Sequence, residues 1–384
     1  MEQITEKQFN AYLKEEPTWY RSLRQVAFQR MKQLPMPSFR YGLSILIKPE
    51  SFDFANLGIP SRADNNILIS KQDGIEIAVG STMPETAKSF EEEYEDKLLA
   101  YHTAFANEFI VIKIQKTVKK PVEIKYDLRG STISTIMITS EPNAKAKIIL
   151  MKSSKSLPSS TFNSEHILIN AGAGSSIEFI STQNLSRNVV NVQHRTAICQ
   201  KDATVNWTEL CLGTIYTRAA VSTRLVGQGA STKNLFVFHG TDKQRFDIFT
   251  ASYHDAPDTL SNIITRGVLN QESKGLSRGL VKIAQNAAGS NGYEQQDVLL
   301  LSEHAEADAI PNLEIDNNDV KCSHGSTVGQ IDEEKIFYLQ SRGLSREQAV
   351  QQIVLGYFMP IVELCSDQEI REKLYEVISK EVAC

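Results

Sequence analysis

Between residues 107 and 330 the chain is a succession of short β-branched runs separated by turns, and no helical period of 3.6 residues interrupts them. The clearest runs, in chain order, are FIVIKI, VEIKY, STISTIMIT, AKIILMK, HILIN, SIEFIS, VVNVQHRTAI, TVNWTEL and NLFVFHG. More than 200 residues of short strands restrict this part of the chain to a β-sandwich, a β-barrel or a β-solenoid.

A recurring interval between small residues favours the solenoid among these folds. Ala146, Ala173, Ala203 and Ala230 are predicted to lie in the turns before successive strands, at intervals of 27, 30 and 27 residues. A period of this length is typical of stacked β-solenoid coils, since each coil buries its inner face only against its neighbours. The coils share little else in sequence, so a β-sandwich stays open as the alternative.

Helical patterns occupy both ends of the chain. At the N-terminus we predict a helix that begins at a Thr5–Gln8 capping box, and further helices over 18–33 and 85–106. At the C-terminus we predict helices over 333–342, 346–358 and 367–382, with breaks at Gly343 and Pro360. The chain therefore divides into a mostly helical region over 1–106, a β core over 107–331 and a helical region over 332–384.

Composition narrows the functional classes. The chain has 41 Lys and Arg against 46 Asp and Glu, a net charge of −5, which argues against a protein devoted to nucleic acid. Its apolar runs are shorter than the ~20 residues that cross a bilayer, and its charged N-terminus resembles no secretion signal. We therefore expect a cytoplasmic protein that binds neither a membrane nor a nucleic acid.

Common catalytic signatures are missing from the sequence. It contains no GxxxxGK[ST] loop, no GxSxG elbow and no HExxH pair, so we expect no nucleotide hydrolysis by this chain. The carboxylates of Asp255 and Asp258 leave one catalytic alternative, a β-helix carbohydrate-active enzyme. Without CxxC pairs, the cysteines are expected to be free thiols; they are Cys199, Cys211, Cys322, Cys365 and Cys384.

One strand near the end of the β core carries two residues that ligate metals. Cys322 and His324 are two positions apart and face the same side of a strand, and thiolate and imidazole both suit iron or zinc. Two ligands leave a site incomplete, so a second chain or distant residues have to supply the others. His304, with Glu303 and Glu306, lies about one short coil earlier. The pair also fits a buried cysteine and a hydrogen-bonded histidine without a metal.

The segment 258–358 resembles the SufB/SufD family of SUF iron–sulfur cluster assembly proteins. Its most specific pieces are Arg278-Gly279, PNLEI at 311–315, DVKCSHGSTVG at 319–329 and FYLQSRG at 337–343. Within that family the chain is most similar to SufD. His324 stands where SufB tends to have Glu, and Ala305 stands where SufB carries a cysteine.

The resemblance implies a right-handed parallel β-helix between two helical regions. It also implies a non-catalytic scaffold subunit that pairs with a SufB paralogue through the end of the β-helix, with the ATPase SufC bound to the C-terminal helices. His324, and after it Cys322, would then ligate iron or a transient iron–sulfur cluster at the subunit interface. A homodimeric, SufB-like scaffold is the alternative within the family.

Overall fold

A computed structural model describes residues 4–13, 16–35, 59, 64–80, 96–158, 161–364 and 368–382. Its helices are α1 (Glu6–Tyr12), α2 (Thr18–Gln33), α3 (Lys97–Phe105), α4 (Glu333–Ser341), α5 (Arg346–Glu363) and α6 (Gln368–Val382). Its strands are β1 (Asn66–Ile69), β2 (Ile75–Gly80), β3 (Glu108–Ile114), β4 (Val122–Leu128), β5 (Thr132–Ser140), β6 (Lys145–Ser154), β7 (Phe162–Ala171), β8 (Ser176–Leu185), β9 (Val190–Cys199), β10 (Thr204–Gly213), β11 (Tyr216–Leu225), β12 (Ser231–Gly240), β13 (Arg245–His254), β14 (Leu260–Leu269), β15 (Lys274–Ile283), β16 (Asn291–Leu300), β17 (Glu306–Ile315) and β18 (Lys321–Gln330).

Within the described residues, the strands form two nine-stranded sheets that face each other. Sheet A runs β1-β4-β6-β8-β10-β12-β14-β16-β18, and sheet B runs β17-β15-β13-β11-β9-β7-β5-β3-β2. Among β3 to β18 all pairings are parallel and join strands that are two places apart in chain order; Thr204, for example, lies beside Ser176 and Ser231. One strand from each sheet therefore makes one coil, and the predicted parallel β-solenoid with helices at both ends is confirmed.

The structural repeat differs in detail from the interval of small residues in the sequence. A buried small residue precedes each sheet A strand from β6 to β16, and its carbonyl accepts a hydrogen bond from the next coil; this column contains Ala144, Ser175, Ala203, Ala230, Thr259 and Ser290. Ala203 and Ala230 were placed correctly, whereas Ala146 lies inside β6, beside Ile177. Serine and threonine fill the same space as alanine, so a search for alanine alone misplaces part of the register.

The turn before each sheet A strand from β6 to β16 requires a left-handed backbone. The residue with positive φ alternates between an Asx residue and glycine: Asn143, Gly174, Asp202, Gly229, Asp258 and Gly289. A Cβ on Gly229 would overlap Oδ1 of Asp202 in the coil below, and the other two glycines stand in the same relation to their neighbours. Asn and Asp are the side chains that best tolerate this conformation, and glycine leaves the room that the adjacent Asx needs.

The N-terminal helices cover the outer face of sheet B. The Thr5–Gln8 capping box of α1 is formed, and α2 spans the predicted residues. Of the predicted helix over 85–106, α3 occupies the last part, while residues 85–95 lie outside the described residues. The aromatic side chains of Phe9, Phe28 and Phe105 pack together over β3, β5 and β7.

Two strands within the region predicted to be mostly helical were not expected. β1 pairs antiparallel with β4, and β2 pairs antiparallel with β3, so both sheets gain a strand at the N-terminal end. Neither strand has a strong local signal, since β1 has only four residues and β2 ends at a glycine. Their conformation depends on the unpaired edges that β4 and β3 would otherwise present.

The C-terminal helices pack on the outer face of sheet A. α4 ends before Gly343, which has a φ of 95°, and α5 begins at the predicted Ser345–Gln348 capping box. The expectation that Pro360 interrupts this helix was wrong, because α5 continues to Glu363. Ile361 and Val362 are buried against sheet A, and this packing holds the final turn despite the hydrogen bond that proline removes. Among the described helices, none is long and apolar enough to cross a membrane.

The space between the sheets is apolar over much of its length but also holds a buried ionic cluster. Lys152 Nζ lies 2.7 Å from Glu165 Oε2, and Arg195 bridges Glu165 and Glu209 at 2.8 and 3.0 Å. Burial alone would raise the pKa of Glu165, but Lys152 and Arg195 hold it below its ordinary value. Burial raises the pKa of Glu209 above its ordinary value, although Arg195 opposes this. The cluster is stable only because each cation has a carboxylate partner.

Three buried histidines form a column between α3 and sheet B. The His102 and His166 rings are 5.6 Å apart, and the His166 and His194 rings are 5.8 Å apart. His102 contacts Ser164 Oγ at 2.8 Å and Thr135 Oγ1 at 3.0 Å. Burial, followed by the neighbouring histidines, lowers the pKa values of His102 and His194 well below the ordinary value.

This column predicts a loss of stability in mild acid. An unfolded histidine binds a proton below about pH 6.5, whereas the folded His102 and His194 stay neutral, so the free energy of unfolding falls as pH drops below that value. The loss should reach about 1 kcal/mol per histidine for each pH unit. Urea unfolding of the wild type and of a His102→Gln/His194→Gln double variant at pH 7.5 and 5.5 tests this prediction. The free energy of unfolding of the double variant should change less between the two pH values. Equal pH dependence in both proteins would contradict the prediction.

Candidate functional site

The C-terminal end of the solenoid is built differently from the N-terminal end. β17 is the last strand of sheet B and β18 is the last strand of sheet A, and each pairs with only one neighbour. Most residues of β18 are exposed, and Val328 and Ile315 expose about two fifths of their surface, 42% and 41%. Within the described part of the chain, this end therefore presents two strand edges whose N–H and C=O groups can pair with another chain.

Cys322 and His324 both lie on this terminal strand and face the same side. Their partners in β16 are Gly292 and Glu294, and that face of β16 points into the solenoid, since Val298 on the same face belongs to its core. Cys322 is half-buried against the apolar cluster around Val281, while His324 is exposed. The structure thus brings the two predicted residues together at the open mouth of the last coil, with the thiol deeper than the imidazole.

Glu294 lies beneath this pair and was not singled out from the sequence. Its side chain crosses the interior towards sheet B, where a Cβ on Gly279 would overlap its carboxylate. Oε1 accepts a hydrogen bond from Gln296 Nε2. Burial raises the pKa of Glu294 to about 7. The 30-residue offset between β16 and β18 would have indicated Glu294 as the neighbour of His324, but that register is visible only in the folded chain.

The electrostatic setting keeps the Cys322 thiol protonated. Burial raises its pKa first, and the negative charge of Glu294 raises it further. A thiolate is the form that ligates metals, so a cation arriving at the mouth would have to displace this proton. The Cys322 thiol of the last coil therefore becomes a ligand only when a bound cation offsets the effects of burial and of the Glu294 charge on its pKa.

The additional ligands considered from the sequence are not brought to this mouth. His304 and Glu303 are exposed in the turn before β17, and Glu306 pairs with Lys274 at 2.7 Å. That turn follows the end of β16, six residues beyond the position beside His324, or roughly 20 Å along the strand. Across the described residues, no group of three or more His, Cys, Asp and Glu side chains is arranged to hold a metal ion.

The remaining cysteines and carboxylates have structural surroundings. Cys199 and Cys211 are fully buried, and burial raises the pKa values of both thiols, that of Cys199 to about 12. Cys365 and Cys384 lie outside the described residues. Asp255 pairs with Arg224 at 2.9 Å, and Asp258 occupies a left-handed turn, so neither carboxylate is placed as a free acid or base in a cleft.

Comparison with known proteins assigns the chain to a family. A profile described as the SUF system FeS cluster assembly, SufBD core domain, matches residues 126–357, which is more than half of the chain and most of the solenoid. The chain belongs to the SufB/SufD family. The match includes β18 with Cys322 and His324, so the open mouth lies inside the region that defines the family.

Individual relatives support the assignment without separating its branches. The iron–sulfur cluster assembly protein SufB of Bacillus subtilis is 25% identical over 407 residues, covering 91% of this chain and 87% of its own. SufD of the same organism is 28% identical over 297 residues, covering 75% and 67%. A SufBD family protein of Staphylococcus epidermidis is 24% identical over 403 residues, covering 91% and 87%. Of the two Bacillus subtilis proteins, SufB aligns over more of the chain, whereas SufD aligns with higher identity.

The interaction between Glu294 and Cys322 predicts how the thiol reacts. In a Glu294→Gln variant, the lost negative charge should lower the pKa of Cys322 and speed its alkylation by iodoacetamide at pH 8 roughly threefold. At pH 6, where Glu294 is mostly neutral, the two proteins should react alike. Peptide-resolved mass spectrometry separates Cys322 from the other cysteines, and Glu303→Gln serves as an exposed control. A slower or unchanged reaction at pH 8 would contradict this arrangement.

Proposed function

We propose that this chain is a SufD-like, non-catalytic subunit of a SUF scaffold that assembles iron–sulfur clusters. It pairs with a SufB paralogue through the last coil, and the ATPase SufC binds the C-terminal helices and hydrolyses the ATP. Iron or a nascent cluster is the cargo of this complex, held at the subunit interface before transfer. The observation that carries the proposal is the position of His324 and Cys322 on an unpaired edge strand at the open end of the solenoid.

The edge strands support the proposed pairing with SufB. A parallel solenoid ends in strands with free backbone groups, and another solenoid of the same family presents edges of the same spacing. Exposed Val328 and Ile315 supply apolar surface beside those backbone groups. A second family member is therefore a better complement to this end than a protein without a matching edge.

Two ligands on one chain suit a scaffold that has to release its cargo. Iron–sulfur clusters are held by thiolate or imidazole ligands, commonly four of them. This chain offers the exposed His324 first and the half-buried Cys322 second, so the partner has to supply the rest. A ligand set divided between two subunits weakens whenever the subunits move apart, which favours transfer over permanent storage.

The SufD-like assignment depends on residues rather than on overall identity. His324 occupies a position where the SufB branch tends to have Glu, and Ala305, buried at the corner before β17, stands where that branch carries a cysteine. Without that cysteine, the chain lacks a thiol at this corner. These two positions favour the SufD-like role over a homodimeric, SufB-like scaffold.

The C-terminal helices offer an exposed aromatic pair that supports the proposed contact with SufC. On α4, Phe337 exposes 73% and Tyr338 exposes 57% of its surface. Adjacent exposed aromatic residues are typical of a protein interface. The helix is held to α5 by a two-point ion pair between Arg346 and Glu333, at 2.7 and 2.8 Å. An ATPase bound here would sit on the same end of the chain as the mouth of the solenoid.

Replacing His324 tests the ligand role. In a complex co-expressed with the SufB and SufC partners and reconstituted without oxygen, His324→Ala should assemble normally but lose most of its iron and sulfide. His304→Ala is the matched control, because His304 is also exposed and lies in the turn before β17. Native mass and metal analysis give the two readouts. Full iron and sulfide in the assembled His324→Ala complex would refute the ligand role.

The same co-expression experiment distinguishes the SufD-like role from a SufB-like homodimer and from a purely structural role. If the wild-type chain forms a stable homodimer and takes no SufB, the SufB-like scaffold replaces the SufD-like assignment. If the wild-type chain pairs with SufB, but neither His324→Ala nor His304→Ala changes the iron content of the complex, the chain is a structural partner only.

Replacing Phe337 tests the contact with SufC. Phe337→Asp should reduce SufC co-purification at least tenfold, because a buried charge at an interface costs more than the ~1.4 kcal/mol that this factor represents. SufB pairing and the unfolding midpoint should not change. Val26→Asp on α2, another exposed apolar position, serves as the control. Undiminished SufC binding by Phe337→Asp would place the contact elsewhere.

A further inference from the structure

The interior of the solenoid contains buried polar side chains in which at least one atom lacks a hydrogen bond within the described residues. Each is at least 99% buried, and each has a side-chain nitrogen or oxygen with no hydrogen bond to the described residues: Gln183, Gln193, Asn234, Thr250, Ser252, Thr265, Ser277, Glu294 and Gln296. Gln183 and Asn234 lack a partner for both amide atoms. All of them lie on strand faces that point between the two sheets, since core residues occupy the same faces.

These side chains follow the solenoid axis in consecutive coils. Gln183 lies one coil below Cys211, whose thiol donates to Gln193 Oε1 at 3.4 Å. Asn234 follows in the next sheet A strand, beside Trp207 on one side and Ile263 on the other. Thr265 then pairs with Phe236 and Gln296, so it connects the middle coils to the last buried coil. The unpaired atoms therefore recur in successive coils in two groups, which the apolar core residues Phe236 and Phe238 separate; the two groups together are called the file.

A dry interior would make this file too costly. A buried polar atom without a hydrogen bond carries its full desolvation penalty, and the sum over nine side chains would rival the whole stability of a folded domain. Buried polar groups in native proteins are nearly always satisfied by protein or by ordered water.

Water fits the chemistry of the file better than an ion does. The unpaired atoms include donors, such as Gln193 Nε2, and acceptors, such as Gln296 Oε1, in the same column of coils. Among the described residues, the interior cations Lys152 and Arg195 are already paired with carboxylates, so neither is free to bind an anion. A molecule that both donates and accepts satisfies such a mixture, whereas a cation or an anion satisfies only half of it.

We propose that ordered water molecules occupy the solenoid interior in two groups, one at Gln183 and Gln193 and one from Asn234 to the floor of the last coil at Glu294 and Gln296. The waters bridge coils that the backbone ladder already holds in register, and they make the interior polar up to the mouth. This inference stands apart from the proposed function, because it concerns the isolated chain and needs no partner, metal or nucleotide.

An isosteric substitution distinguishes a hydrated file from a dry one by the sign of its effect. Thr250→Val removes an unpaired hydroxyl, so it should raise the urea midpoint if the site is dry and lower it if water bonds to that hydroxyl. We expect a roughly fivefold fall in the folding equilibrium constant. Thr223→Val is the control: its hydroxyl accepts from Trp207 Nε1 at 3.1 Å, so its loss destabilises the protein in either case. An unchanged or raised midpoint for Thr250→Val would overturn the proposal.

A direct count of internal water keeps the test independent of folding energetics. Oxygen-17 relaxation dispersion on the wild-type chain should detect several long-lived internal waters, and fewer in a Thr250→Val/Thr265→Val double variant. A wild-type chain without long-lived waters would overturn the proposal even if the variants behave as expected in urea. Equal counts in the wild type and the double variant would place the detected waters outside the file and would overturn it as well.

Discussion

The in-register hydrogen-bond ladder between coils is the constraint on which the rest of the molecule depends. The backbone N–H and C=O groups of each inner strand form hydrogen bonds with the coils before and after it, so no coil is stable alone. A coil at either end of the stack has such a neighbour on one side only. At the N-terminal end, β1 and β2 close the sheets by pairing antiparallel. At the C-terminal end, β17 and β18 each pair with only one neighbour among the described strands. The candidate site lies at the end where the ladder remains unfinished.

The same ladder also explains how charged residues can occupy the interior. Fixed register places Glu165 between Lys152 and Arg195 with little freedom to separate, and the sheets on either side exclude bulk water. Such a cluster contributes little net stability compared with an apolar core, because desolvation offsets most of the attraction. Its effect is on specificity: a shift of one coil by a single residue would leave a buried charge unpaired, so the cluster disfavours slipped registers.

Sequence reasoning succeeded where the signal is local. Capping boxes at Thr5 and Ser345 mark helix starts because the bonds they form span three residues, and period-two alternation is enough to put Cys322 and His324 on one face. Sequence reasoning failed where contact with a segment distant in the sequence determines the local structure. β1 and β2 are strands because of β4 and β3, and α5 continues past Pro360 because sheet A holds its last turn.

Glu294 shows the same limit within the candidate site. Its place beneath His324 depends on the length of a coil, and coil lengths vary along the stack from the 26-residue offset between β9 and β11 to the 32-residue offset between β15 and β17. Variation of a few residues is absorbed in the turns and cannot be read from composition or periodicity. The specific neighbour of a residue in the next coil is therefore known only from the strand register of the folded chain.

The alternating left-handed turns set the step in which a solenoid of this kind can change length. An Asx side chain in one coil uses the space left by glycine in the next, so the repeating unit at this corner is a pair of coils. Inserting or deleting one coil would bring two Asx turns or two glycine turns together, whereas inserting or deleting two keeps the order intact. Gene duplication within this core would therefore proceed most easily in segments of about sixty residues, which is two coils of roughly thirty.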